Sequence, residues 1–179
     1  MRSLPAPIRL SVALDKEAED ILRRLSQESG MTYSALIRFA LKFFSTYGKL
    51  LKDPEKVRIW LDLLQSGEHV ILDVDHWLLF FKHLGRSEEK ERFYKECREV
   101  SLSHAEQLSS LSPLEYLKRI EACNFFKMSQ TSEKEFTLVL TVDPSKRFVK
   151  ELLLDTLEGM GHRAEIKEDK MKLRLKLVE

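Results

Sequence analysis

The chain has 179 residues, of which 43% are hydrophobic and 33% are charged, a composition typical of a soluble globular protein. Its longest apolar run, residues 77–81, is too short to span a bilayer, which excludes an integral membrane protein with apolar helices. The net charge of +1 divides unevenly: residues 1–52 hold nine basic and five acidic residues, a net +4, and the remainder holds 21 and 24, a net −3.

The first seven residues are predicted to be an extended arm. They include Pro5 and Pro7 and lack the apolar core of a signal peptide, so we expect a cytoplasmic location and no membrane partner. The two cysteines, Cys97 and Cys123, show no CxxC spacing and fit a reducing compartment, where we interpret them as buried thiols.

Residues 8–14 alternate with the two-residue period of a β-strand that has one apolar face. The apolar positions are Ile8, Leu10, Val12 and Leu14, and the positions between them are Arg9, Ser11 and Ala13. Asp15 suits a helix N-cap and should end the strand.

Two amphipathic helices are predicted next. Ser29 and Gly30 should end the first helix, and Thr32 should cap the second. The apolar stripe of the first helix comprises Ala18, Ile21, Leu22 and Leu25, and that of the second comprises Leu36, Ile37, Ala40, Leu41 and Phe44.

This succession of strand, Asp cap, helix, Gly turn, Thr-x-Ser and helix resembles the ribbon-helix-helix domain, the MetJ/Arc type of DNA-binding fold, over residues 7–50. The resemblance implies that two chains pair their strands into an antiparallel ribbon that enters the major groove of double-stranded DNA. A short strand without a partner leaves its edges and its apolar face uncovered, and a second copy of the chain would cover both. We therefore expect a homodimer or a higher homo-oligomer.

The resemblance further implies that Arg9, Ser11 and Ala13 read bases. Arginine can bond N7 and O6 of guanine together, serine can donate or accept, and the alanine methyl can contact a thymine methyl. Families of this type more often carry a polar side chain at the third position, so Ala13 departs from the pattern. The alternative for Arg9 is a solvated surface cation, and the alternating segment could be an edge strand of a larger sheet.

By the same resemblance, the start of the second helix binds a phosphate. The N–H groups of Thr32, Tyr33 and Ser34, with the two hydroxyls, would do this as helix N-termini commonly do. An ordinary helix cap is the alternative interpretation. A dimer would present about +8 on its N-terminal portions, twice the +4 of residues 1–52, which is the sign that phosphate contact requires.

A domain boundary is predicted near residue 52, giving a DNA-binding domain over 1–52 and an α+β domain for oligomerisation or sensing over 53–179. Four helices are expected in the middle region, beginning near Pro54, Asp75, Ser87 and Pro113. Residues 70–74 have the β-branched content of a short strand or turn. The aromatic stretch 77–81 has two possible roles, lining a ligand pocket or packing in a core.

His69, Asp73 and His76 are weak candidates for metal ligands because imidazole and carboxylate suit zinc, nickel or iron. Histidines two turns apart on a helix are about 10 Å distant along the axis, too far to share one ion. We predict no metal and no cofactor.

The C-terminal region is predicted to fold as ββαββ, a four-stranded and mostly antiparallel sheet with a helix on its apolar face. The strands are expected over residues 125–129, 136–142, 163–167 and 171–178. Lys172, Arg174 and Lys176 form a basic stripe on the last strand. Of two interpretations, contact with nucleic acid and protection of a sheet edge, we favour the second.

No catalytic pattern is visible, since the chain has no Gly-rich phosphate loop, nucleophile elbow or HExxH motif, and we predict no enzyme. The first hypothesis is a homodimeric, sequence-specific transcription regulator, such as a repressor. The alternatives are a dimerisation and partner-binding module of antitoxin-like arrangement, or a regulator that responds to a metal or to an unidentified small ligand.

Overall fold

The computed structural model describes residues 9–49, 52–67 and 69–178, and the chain divides into two units, Met1–Pro54 and Glu55–Glu179. We call these the N-terminal unit and the C-terminal unit. The described residues form seven α-helices and four β-strands, so the predicted α+β class is confirmed. None of these helices combines the length and the apolar content needed to cross a membrane.

The N-terminal unit contains α1 (Lys16–Ser29) and α2 (Tyr33–Tyr47). Asp15 and Thr32 cap them, as predicted. Gly30 follows α1 with a φ of 68°, a left-handed conformation that glycine adopts without steric cost, and it reverses the chain between the two helices.

The strand predicted over residues 8–14 is not formed by the single chain. Ile8 lies outside the described residues, and residues 9–15 have no strand assignment, so the first element is a helix. A strand is defined by hydrogen bonds to a neighbouring strand, and the sheet that the described residues form does not include this segment. The described residues therefore contain no strand of a ribbon-helix-helix ribbon.

Four helices follow, as predicted, although some of their bounds differ. They are α3 (Pro54–Gln65), α4 (Val74–Leu84), α5 (Lys90–Leu108) and α6 (Pro113–Ala122). Residues 69–73 form neither strand nor helix, and Asp73 rather than Asp75 caps α4 by accepting a hydrogen bond from the Asp75 N–H at 2.8 Å. Asp73 and Asp75 both precede the apolar residues 77–81, so the sequence alone did not show which of the two aspartates caps the helix.

The predicted ββαββ region is confirmed. Its strands are β1 (Phe126–Gln130), β2 (Glu135–Leu140), β3 (Arg163–Asp169) and β4 (Lys172–Val178), and α7 (Lys146–Gly159) lies between β2 and β3 after a single 3-10 turn. The sheet is antiparallel throughout, with the strand order β1-β2-β4-β3.

The core of the C-terminal unit lies between one face of this sheet and helices α6 and α7. Alternate residues of β2 and β4 point into it, and the intervening residues point to solvent. The fully buried side chains include Leu117 of α6, Val149, Leu153 and Leu157 of α7, and Phe136, Leu138, Leu173 and Leu175 of the sheet. Burying one such side chain contributes about 1.5–3 kcal/mol, so this cluster dominates the stability of the unit.

The interpretation of Lys172, Arg174 and Lys176 as protection of a sheet edge is wrong. The strand β4 lies between β2 and β3 and is hydrogen-bonded on both sides. Because the β3–β4 hairpin places its second strand next to β2, the last strand of the chain is an interior strand and β3 is the edge. The three cations therefore lie on the solvent-facing side of the sheet, not at its edge.

Candidate nucleic-acid interface

The three predicted base-reading residues lie in the segment that precedes α1. Arg9, Ser11 and Ala13 are all exposed, and no ion pair among the described residues includes Arg9. The alternating apolar residues are exposed as well: the exposed fraction is 84% for Leu10 and 69% for Val12. Both sides of the segment thus face solvent in the single chain, and its polar side is available for contact.

The start of α1 fixes where this segment ends. The Asp15 carboxylate accepts a hydrogen bond from the Ala18 N–H at 2.8 Å, with Asp15 itself in an extended conformation. Two acids of α1 are paired within the helix: Lys16 lies 3.3 Å from Glu19 and 3.1 Å from Asp20, and Arg23 donates to Glu19. This hydrogen bond, with the charges of the neighbouring acids, raises the pKa of Arg23. Glu19 and Asp20 are thus paired with cations of the same helix.

The turn between the helices is held by its own hydrogen bonds. The Gly30 N–H donates to the Ser26 carbonyl at 3.0 Å, and the Ser26 hydroxyl donates to the Met31 carbonyl at 2.6 Å. The Ser29 hydroxyl accepts from the Met31 N–H at 3.3 Å. These bonds set the direction in which α2 begins.

The start of α2 carries the predicted phosphate-binding residues. The Thr32 hydroxyl accepts from the Ala35 N–H at 3.3 Å and retains its own O–H as a donor. The N–H groups of Tyr33 and Ser34 lie in the first turn, where a helix offers no carbonyl partner. No acidic residue occurs in this turn, so the positive end of the helix dipole is not compensated there. These donors suit an anion.

Much of the apolar surface of α2 is uncovered. Leu36 is buried, but the other large side chains of the predicted stripe are exposed, with exposed fractions of 43% for Ile37, 64% for Leu41 and 67% for Phe44. Exposed apolar surface of this extent on a small unit is typical of an interaction surface.

The weak metal candidates have ordinary structural partners. The His69 Nδ1 lies 3.1 Å from the Leu63 carbonyl oxygen, and the His76 Nδ1 lies 3.7 Å from a carboxylate oxygen of Asp73. The Asp73 carboxylate also caps α4. No group of three potential metal ligands occurs within residues 9–49, 52–67 and 69–178.

The aromatic stretch of α4 lines a cavity of about 220 Å³ in the C-terminal unit. Its wall includes two residues from other helices, Phe93 of α5 and Phe148 of α7, which the sequence did not link to the stretch. The complete lining comprises Trp77, Phe80, Phe81, Leu84, Phe93 and Phe148. Both aromatic residues occupy apolar positions of their helices, but which helices face each other cannot be deduced from their spacing.

Neither cysteine has the environment of a nucleophile. Burial raises the pKa of the Cys97 thiol and that of the Cys123 thiol, and nearby carboxylates raise the pKa of Cys97 further. A nucleophilic cysteine needs the opposite shift.

Comparison with known proteins adds no assignment: no protein-family model matches the chain, and no curated protein matches it.

Proposed function

We propose that the protein is a homodimeric, sequence-specific DNA-binding transcription regulator of the ribbon-helix-helix type. In the proposed dimer, residues 8–14 of two chains pair into an antiparallel ribbon. Leu10, Val12 and Leu14 of both chains cover the apolar faces of the helices, and Arg9 and Ser11 face the major groove with Ala13.

The observation that carries this proposal is the exposure of Leu10 and Val12 at 84% and 69%. The segment alternates apolar and polar residues and ends at the helix cap Asp15, yet its apolar side chains Leu10 and Val12 are exposed. Leaving such side chains in water forgoes about 1.5–3 kcal/mol each, which a second copy would recover. The exposed apolar side chains of α2 would likewise be buried in the proposed dimer.

The electrostatics of the N-terminal unit support DNA as the partner. Residues 1–52 carry a net +4, and Glu19 and Asp20 of α1 are paired with cations on the same helix. The uncompensated start of α2 adds N–H donors and hydroxyls for a phosphate. Contacts of this kind position a protein on the duplex, and the ribbon residues supply the base contacts.

Selection of bound sequences from a random pool of DNA duplexes tests the proposal. We expect the full chain to enrich a short motif with two-fold symmetry, since a symmetric dimer binds symmetric half-sites. Replacement of Arg9 by alanine should then weaken binding to the selected duplex by about 1–3 kcal/mol and change binding to a random duplex little. Arg86→Ala, which removes an exposed cation of the C-terminal unit, is the matched control.

One result would contradict base reading by Arg9, and another would contradict the function itself. Equal weakening of selected and random duplexes by Arg9→Ala would assign Arg9 to the phosphate backbone. A stable dimer that enriches no sequence would favour the partner-binding module, with the ribbon serving only to join two chains.

A second candidate function, sensing of a small ligand, is favoured by the aromatic cavity between α4, α5 and α7. Its lining is entirely apolar, and Trp77 meets Phe81 and Phe148 edge to face at centroid distances of 4.6 and 5.5 Å. A cavity of about 220 Å³ is smaller than most ligand pockets, and its apolar wall limits the candidates to molecules of about the size of benzene.

Thermal melting against a panel of small aromatic metabolites and metals tests the sensing function. A ligand that binds the folded chain raises its melting temperature. We expect the variant Leu84→Trp, which fills the cavity, to abolish the shift, and Leu79→Trp on the exposed side of the same helix to preserve it. No shift with any compound, or a shift that persists in Leu84→Trp, would count against a ligand in this cavity.

A further inference from the structure

The solvent-facing side of the C-terminal sheet is divided into two halves of different charge. One half, which we call the basic half, carries Lys127 of β1, Lys172 and Arg174 of β4, and Lys167 of β3. The strand register brings them together: Val139 is paired with both Lys127 and Lys172, and Arg174 is paired with Lys167. All four cations are exposed.

Two of the three outward-facing acids, Glu135 and Glu165, lie in the other half, which also carries Lys176 and Arg163. There Lys176 is paired in register with Glu135 on one side and Glu165 on the other, and its ammonium lies 3.4 Å from the Glu135 carboxylate. In the basic half, the outward-facing carboxylate of the strands is that of Asp169, which lies 3.2 Å from the Arg174 guanidinium. Four cations therefore face one acid.

We propose that the basic half binds the phosphate backbone of double-stranded nucleic acid, independently of base sequence. Neighbouring strands are about 4.8 Å apart, so cations on β1, β4 and β3 extend over roughly 14 Å. This width accommodates more than one phosphate of a duplex, whose two strands carry one charge per 1.7 Å or so of axis. Ser129 and Thr137, which are paired with each other beside Arg174 in the register, add hydroxyl donors.

The same face is poorly suited to other polyanions. None of its outward positions is aromatic, so it offers no platform on which the bases of a single strand stack. Its outward apolar residues are Val139 and Val178, too small to anchor the face in a membrane interface, where large apolar side chains insert. Charge complementarity thus favours the exterior of a duplex.

The test measures binding of the full chain to a random-sequence duplex at several salt concentrations. The sheet variant combines Lys167→Gln, Lys172→Gln and Arg174→Gln, and the control variant combines Lys82→Gln, Arg86→Gln and Lys95→Gln, which make the same charge change at exposed positions of α4, the loop after it and α5. We expect the sheet variant to bind about tenfold more weakly and the slope of log affinity against log salt to fall by about 2 to 3. The control variant should match the unaltered chain.

The variants Lys167→Arg and Lys172→Arg, combined, keep the charge and should retain binding. If the triple sheet variant melts early, the single variants Lys167→Gln and Lys172→Gln replace it, each expected to lower the slope by about 0.9. Equal binding by sheet and control variants would overturn the proposal, and so would binding to phosphatidylserine vesicles in place of the duplex.

This experiment is separable from the test of the N-terminal ribbon. Arg9→Ala is expected to affect a selected duplex, whereas the sheet variant is expected to affect every duplex alike. A chain that binds random duplex through the sheet but enriches no motif would refute sequence-specific regulation and leave the role of the basic half intact.

Discussion

Gly159, the last residue of α7, packs against α5 with no room for a side chain. A Cβ atom on Gly159 would lie 2.5 Å from the Cβ of Ala105 and 3.3 Å from a methyl carbon of Leu102. Its backbone is helical, so the absence of a side chain serves close packing and not an unusual conformation. Ala105 is fully buried, and the contact therefore has little room to relax.

We expect Gly159→Ala to destabilise the chain by about 1–3 kcal/mol, the usual cost of overpacking a buried contact. This sign is opposite to that of a glycine-to-alanine change at an open helical position, where alanine is favoured by about 1 kcal/mol. Urea unfolding of both proteins measures the difference.

The double variant Gly159→Ala with Ala105→Gly is the control, since it removes the methyl group that the new side chain meets. The two changes should be less damaging together than the sum of their separate effects, because neighbouring sites couple. Additive effects, or a stabilising Gly159→Ala, would show that the helices can separate at this point without cost.

At the scale of elements, α6 illustrates a helix whose start is encoded locally. The Ser112 hydroxyl accepts from the Glu115 N–H at 3.3 Å, and the Glu115 carboxylate accepts from the Ser112 N–H at 2.8 Å, a reciprocal capping box. Pro113 occupies the first helical position, which its fixed φ suits. The Ser112 N–H and hydroxyl, both donating to Glu115, hold the pKa of that carboxyl below its ordinary value.

Replacement of Ser112 by alanine should destabilise the chain by about 1 kcal/mol near neutral pH, as the loss of an N-cap hydroxyl generally does. A lowered pKa in the folded state means that the contribution of ionised Glu115 is complete above the unfolded-state pKa and is lost as the pH falls through the folded-state value. The effect of Ser112→Ala should therefore shrink in acid.

Chemical unfolding between neutral pH and pH 3 or so measures this dependence. Ser109→Ala, outside the capping box, is the comparison, and its effect should not follow the titration of Glu115. If the destabilisation by Ser112→Ala is the same at every pH, the contribution of the cap does not depend on the ionisation of Glu115.

The same local encoding explains which elements could be predicted from the sequence. Caps and apolar periodicity predicted the seven helices and the four C-terminal strands, because each depends on residues close together in the chain. The order of the strands depends on contacts between distant segments. Spacing alone could not show that β4 rather than β3 pairs with β2. The sequence therefore did not predict that Lys127 and Lys167 belong to the basic half of the sheet. The prediction of a strand over residues 8–14 was wrong for the single chain for a related reason, since the partner strand in the proposed dimer belongs to another chain.

At the scale of the whole molecule, the two units differ in how many of their apolar side chains are buried within one chain. The C-terminal unit encloses a core of eleven buried residues, whereas α1 has no buried residue and α2 has Leu36 alone. Helices of this length are marginal in water without tertiary packing of their apolar faces. Few apolar side chains of α1 and α2 are thus buried, and the proposed dimer would cover more of them.

We therefore expect the chain to be a dimer whose assembly depends on Leu10 and Val12. Replacing both by serine removes the apolar side chains that would cover α1 and α2 in the proposed dimer. The dimer should therefore dissociate to monomers at micromolar concentration. Light scattering coupled to size-exclusion chromatography measures the mass, and the melting temperature of the unaltered chain should rise with concentration.

Arg9→Ser and Ala13→Ser, on the opposite side of the segment, should leave the mass unchanged. A monomeric unaltered chain, or a dimer that survives the loss of both apolar side chains, would exclude a ribbon as the basis of assembly.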